Sequence, residues 1–200
     1  HEINTPLSVI SMSIETADLD NLNERNLKRF NNISLAAKSL NNIYDALVHL
    51  SFNLDKSSKK ELIDLNLLTT QRLNYFSPFF AKRGLKINAN LKPSFINADL
   101  EDMNKILDNL LSNAAKYAAQ NSEVRIVLEP NFFSISNLGH GISKEQQLQI
   151  FDRYTRFNDD QGGFGIGLNL VKECCKKNDI VVKCQSELGK ETTFSLSWKE

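Results

Sequence analysis

A polar stripe runs along the helical stretch "DNLLSNAAKYAA", Asp108 to Ala119, whose leucines and alanines supply a wide apolar face. Asn109, Asn113 and Lys116 stand at spacings of four and three, which puts them on one stripe of a helix. Asn adds little to helix stability, so two of them on one face raise the question of what the stripe is for. The glycines of "GGFGIGL" offer matching chemistry. Gly163, Gly165 and Gly167 alternate just before Leu168 and the helical run "NLVKECCKK". Glycine lets backbone N–H groups come close to an anion, and the helix N-terminus adds positive potential. No G-K-[ST] follows, so this is not a Walker loop, and no strand and acidic residue stand at Rossmann distance. A second glycine pair, Gly139 and Gly141, flanks His140 in "SNLGHGIS". No second His or Cys lies at ligand spacing from His140, which argues against a metal there. Finally "HEINTPL" opens the chain. At about 100° per residue, His1 and Thr5 lie opposite the Ile3–Leu7–Ile10–Ile14 stripe, on the exposed face, with Glu2 to the side.

Two kinds of periodicity must position these groups. Ile3, Leu7, Ile10, Ile14 and Ala17 recur at helical spacing. A second series follows the Asn- and Asp-rich turn "DLDNLNE" and runs from Leu27 through Phe30, Ala37, Leu40 and Leu47 to Leu50. This predicts a helical hairpin over residues 1–54. A lone hairpin cannot bury both stripes, so it should dimerise into a four-helix bundle. Residues 55–60 read as a charged linker. From residue 61 to 200, strands and helices interleave. The expected order is a strand near Glu61–Ile63, a helix over Asn66–Lys82 and strands "GLKINANL" and "FINAD". Asp99 should cap the Asn-bearing helix, and strands "SEVRIVLE" and "FFSISN" follow. A helix from about Gly165 to Lys177 and strands "DIVVKCQS" and "TTFSLSW" complete the series. The fold class is therefore α+β: the hairpin, then an α/β sandwich with helices on one side of a mixed sheet.

Composition limits the function classes. The chain has 200 residues, 41% apolar and 24% charged, with Lys+Arg and Asp+Glu balanced at 24 each. That balance gives no bulk attraction to nucleic acid or to an anionic membrane. The three cysteines, two of them adjacent, form neither a disulfide framework nor a metal spacing, which fits a reducing cytoplasm. No apolar run reaches the roughly 18 residues of a membrane span. A chain starting at His1 rather than Met is expected to be a piece of a longer protein, with any membrane or sensor part elsewhere.

The ordered set "NLLSNAAKY", "SNLGHG", "IFDRYTRFN" and "GFGIGL" resembles the ATP-binding domain of sensor histidine kinases, the Bergerat-type fold, over Glu61 to Trp198. "HEINTPL" is similar to the H-E-x-x-T-P phosphoacceptor motif of the same kinases. The resemblance implies ATP and Mg²⁺, with Asn113 holding the metal against the phosphates and Asn109 in support. Lys116 would meet phosphate, Tyr117 would pack on the nucleotide, and the glycines and Leu168 would line the cleft. Asn137 would touch adenine where the family has Asp, and Arg156 would reach the terminal phosphate. His1 would be the nucleophile, Glu2 its proton acceptor, and Thr5 would place water for dephosphorylating a response regulator receiver domain. Hydrolysing relatives in the gyrase and mismatch-repair enzymes carry a Glu base where Asn109 stands, which favours transfer to His over hydrolysis. Asn137 and the short segment between Phe157 and Gly163 leave a dimerising pseudokinase scaffold as the alternative.

Overall fold

The computed structural model describes residues 23–51, 59–152 and 167–199, together with Ile10 and Ile14; for 35, 38, 39 and 41–51 it describes the backbone alone. The chain divides into two compact units, His1–Ser57 and Ser58–Glu200.

In the first unit, α1 spans Glu24–Ser51. Asn23 starts it: its Oδ1 accepts from the Asn26 backbone N–H at 2.9 Å, and Glu24 favours the positive helix end. Ala37 is buried, whereas Ile33 and Leu40 remain exposed, Leu40 by 51%. Ile10 and Ile14 are helical. The rest of the expected first helix, with Ile3, Leu7 and Ala17, lies outside the described residues.

The second unit is an α/β sandwich with a mixed sheet, as the interleaved patterns predict. Its strands are β1 (Lys60–Asp64), β2 (Lys86–Leu91), β3 (Phe95–Asp99), β4 (Glu123–Glu129), β5 (Phe132–Leu138), β6 (Val181–Ser186) and β7 (Glu191–Ser197). Five form a sheet in the order β2-β4-β5-β7-β6, and β1 pairs with β3 separately. Only β2 and β4 run parallel; the other pairs are antiparallel. The helices are α2 (Leu65–Lys82), α3 (Leu100–Tyr117), the short α4 (Lys144–Gln149) and α5 (Gly167–Lys177).

Register explains the core. Residues opposite one another in an antiparallel pair share a face. Leu128, Phe133, Leu196 and Val182 form one row, and Ile126, Ile135, Phe194 and Cys184 the next. These rows meet the buried Met103, Ile106, Leu107, Leu110 and Leu111 of α3 in one apolar cluster. The third row is Val124, Asn137, Thr192 and Ser186. The core therefore turns polar at one end of the sheet, beside the C-terminal half of α3.

Local signals set the helix ends. Asp64 caps α2 by accepting from Leu67 N–H at 3.0 Å, and Asp99 caps α3 by accepting from Asp102 N–H at 3.0 Å. Pro78 sits inside α2 and removes one donor. The Ser77 hydroxyl donates to the Asn74 carbonyl at 2.9 Å and satisfies the group the proline leaves. Helix α4 is an addition to the sequence reading. It starts at a capping box, with Ser143 and Gln146 bonded reciprocally.

Candidate nucleotide site

Helix α3 is held at three levels before it presents anything. Near its start, the Asp102 carboxylate is 2% exposed. It accepts from Asn178 Nδ2 at 3.0 Å and lies 2.9 Å from Lys177 Nζ, while Cys174 Sγ is 3.7 Å away. Asn178 also accepts from the Asp99 backbone N–H at 2.8 Å, which ties the end of α5 to the start of α3. Burial opposes the Lys177 charge, but the hydrogen bond and charge of Asp102 outweigh it and raise the lysine's pKa. Midway, Arg72 of α2 grips Asp108 with two parallel bonds, Nε to Oδ1 at 2.5 Å and Nη2 to Oδ2 at 2.7 Å. Burial raises the Asp108 pKa, and Arg72 counters part of that rise. At the far end, Arg83 bonds the last carbonyls of α3.

The predicted stripe then lies between two glycines. Asn109 donates from Nδ2 to the Lys105 carbonyl at 2.8 Å, so its amide is turned back along its own helix. Its Oδ1 lies against Gly167, where a Cβ would sit only 2.4 Å away. Two turns on, about 12 Å along the axis, a Cβ on Gly139 would lie 2.5 Å from the Tyr117 carbonyl. Glycine is required at both approaches. Between them Asn113 and Lys116 are half-buried. The Lys116 ammonium lies 5.2 Å from the centroid of the Tyr117 ring, and Tyr117 is 42% exposed. A cation in the last turn also suits the helix dipole.

The polar end of the sheet closes one side. Asn137 is 6% exposed and donates from Nδ2 to the Leu138 carbonyl at 3.3 Å. Its cross-strand neighbour Thr192 is buried and meets Ser186, hydroxyl to hydroxyl, at 2.6 Å. Gly141 takes φ +70°, and a Cβ there would strike the Glu187 carbonyl at 2.1 Å. His140 between the two glycines is exposed. Thiol chemistry has no place here: burial pushes Cys175 and Cys184 up to about 12 and raises Cys174 too, helped by the Asp102 charge.

The structure thus brings together Asn109 with Gly167 and Tyr117 with Gly139 and Asn137, along one helix. Leu168 follows Gly167 in the first turn of α5 and is half-buried. His1, Glu2, Thr5, Arg156, Gly163 and Gly165 lie outside the described residues. Sequence reasoning missed Thr192, Arg72 and Arg83. Thr192 could have been found by pairing "FFSISN" with "TTFSLSW"; the two arginines carry no local signal. The residues suit a nucleotide with Mg²⁺. Among the described residues no group of three His, Cys, Asp or Glu could hold a metal. A Mg²⁺ at the Asn113 carboxamide would keep several waters and take phosphate oxygens beside it, the habit of this hard ion. No helix among the described residues is long and apolar enough to cross a membrane.

The family described as histidine kinase-, DNA gyrase B-, and HSP90-like ATPase matches residues 98–200. The sensor protein RprX of Bacteroides fragilis is 29% identical over 98% of this chain and 41% of its own length. The histidine protein kinase SaeS of Staphylococcus aureus is 28% identical over 98% of this chain and 60% of its own. The chain thus spans roughly half the length of these curated relatives. Full-length ShkA, solved in complex with AMPPNP, shares the fold at a TM-score of 0.70 and 21% identity, over 98% of this chain and 43% of that one. The chain belongs to the histidine kinase-, DNA gyrase B- and HSP90-like ATPase family, and its relatives are sensor histidine kinases.

Proposed function

We propose that this chain is the cytoplasmic core of a sensor histidine kinase, which binds Mg-ATP along α3 and phosphorylates His1. The supporting observation is the stripe of Asn109, Asn113 and Lys116 between Gly167 and Gly139, with Asn137 at one end. Asn113 would hold Mg²⁺, Lys116 and Arg156 the phosphates, and Asn137 the base. When bound, Mg²⁺ supplies charge neutralisation to the transferring phosphoryl group. The neutral imidazole of His1 attacks the γ-phosphorus; the new N–P bond forms as the bond to the ADP oxygen breaks. Glu2 takes the proton from the other ring nitrogen. The phosphoryl group then passes to an Asp of a response regulator receiver domain, and Thr5 assists the reverse hydrolysis.

Asn109 argues against a hydrolysing ATPase. A carboxamide cannot take a proton from water, and here its nitrogen is bonded to the Lys105 carbonyl. The exposed Leu40 and Ile33 on α1 support a homodimer through the hairpin. The chain spans 41% of the sensor protein RprX, which supports reading it as the cytoplasmic part of a longer sensor protein. One feature favours a second reading, a dimerising pseudokinase: Asn137 is a neutral group at the adenine position.

Incubation with γ-labelled ATP separates the two. The kinase gives acid-labile, base-stable label that disappears in His1→Gln while ATP binding persists. Label surviving in His1→Gln would remove His1 from its role. ATP binding with no label in the native chain would favour the scaffold.

A further inference from the structure

Arg83 follows α2 directly and is half-buried. Its guanidinium crosses to the end of α3. Nη1 donates to the Ala115 carbonyl at 2.6 Å and to that of Lys116, and Nη2 donates to the Ala118 carbonyl at 2.8 Å. These are carbonyls that a helix leaves without intrahelical partners, at the negative end of its dipole. The fork grips both sides of the helix boundary, because Ala118 has already left α3 for extended geometry. Three donors thereby fix the angle at which the chain turns out of the helix.

That angle decides how α3 meets the loop at Gly139. Ala118 forms a bridge with Gly139, the Ala119 N–H donates to the Leu138 carbonyl at 2.7 Å, and Gly139 packs against the Tyr117 carbonyl. Arg83 is itself held. Its carbonyl accepts from the Asn121 N–H at 3.1 Å, and Gly84, at φ +65°, lies against the Asn121 side chain.

We propose that Arg83 is a positioning residue of the nucleotide site: its fork fixes the last turn of α3, and so Tyr117 and Lys116, against the loop at Gly139. The inference rests on the reading of this site as an Mg-ATP site. It separates two demands on one helix. Asn113 precedes the gripped carbonyls of Ala115, Lys116 and Ala118 and is not itself bonded by Arg83, so metal dependence should not follow Arg83, whereas nucleotide affinity should.

Titration calorimetry of the full chain with ATP, over a series of Mg²⁺ concentrations, tests this. Arg83→Gln removes the charge and the fork and should weaken ATP binding about tenfold, with an unchanged Mg²⁺ midpoint. Arg83→Lys keeps the charge as a single point and should fall between the two. Leu128→Val, a core truncation at the opposite end of β4, should lower the melting temperature without moving ATP affinity. Binding by Arg83→Gln within twofold of the native chain, or by Arg83→Lys equal to it, would overturn the proposal. So would a loss in Leu128→Val matching that in Arg83→Gln. If Arg83→Gln fails to fold, Arg83→Lys decides alone: a several-fold loss supports the fork and native affinity overturns it. A native chain that binds no Mg-ATP would remove the site reading itself, and this inference with it.

Discussion

Asp102 and Asn113 stand on the same helix, about three turns apart, and their surroundings differ in kind. Asp102 is enclosed by Asn178, Lys177 and Cys174, and its carboxylate is matched by protein donors. Asn113 is half-buried on the stretch of α3 between Asn109, which lies against Gly167, and Tyr117, whose carbonyl lies against Gly139. One end of α3 closes around a carboxylate matched by protein donors, while the other carries Asn113 and Lys116 half-buried beside the exposed Tyr117. On the proposed reading, the contrast separates polar residues that hold a structure from those that receive a ligand. It also predicts that substitutions at the two ends fail in different assays.

The largest expected effect is on stability at the closed end. Asp102→Ala leaves Asn178 and Lys177 facing a gap and should cost about 3 kcal/mol or more in urea unfolding. Thiol labelling reports the same change: the native chain should resist reagents at pH 8 because its buried thiols stay protonated, and Asp102→Ala should open Cys174. A loss below about 1 kcal/mol with Cys174 still protected would mean that the cluster is not a brace.

Next comes the boundary between helix and loop. Gly139→Ala drives a Cβ to 2.5 Å from the Tyr117 carbonyl, so α3 and the loop must part. The expected cost is about 1–3 kcal/mol in stability and about tenfold or more in ATP affinity. Native affinity in this variant would show that the contact is not part of the site.

The smallest effect belongs to Asn137→Asp. The Asn137 amide already donates to the Leu138 carbonyl, which leaves its oxygen as the acceptor toward the base. A charged acceptor is worth about 1 kcal/mol more than a neutral one, so ATP should bind roughly five- to tenfold tighter. Preference over GTP should sharpen as well. Calorimetry with both nucleotides would detect it; unchanged affinity and preference would take Asn137 out of the base pocket.

Much of this was legible in the residues. Alternation exposed β4, whose Val124, Ile126 and Leu128 are all buried, and Asp99 announced the start of α3. The Asn stripe could be read because its members are neighbours in one helix. Helix α4 was missed because six residues carry no apolar period, although Ser143 and Gln146 form its capping box. Asp102 carries no local signal of its role, because the Asn178 and Lys177 that meet it come from α5 and the residue after it, far along the chain. Arg83 was invisible for the same reason, since its partners are brought to it by the fold. Local chemistry was readable, and chemistry assembled across elements was not.

The claim that the open end of α3 is an Mg-ATP site is tested most directly by calorimetric titration of the native chain and Asn113→Ala with ATP, in Mg²⁺ and in chelator. The account predicts binding by the native chain that weakens in chelator. It also predicts an Asn113→Ala protein of native stability, within about 0.5 kcal/mol, that has lost the Mg²⁺-dependent part. Equal binding by both proteins, with the same response to Mg²⁺, would contradict it.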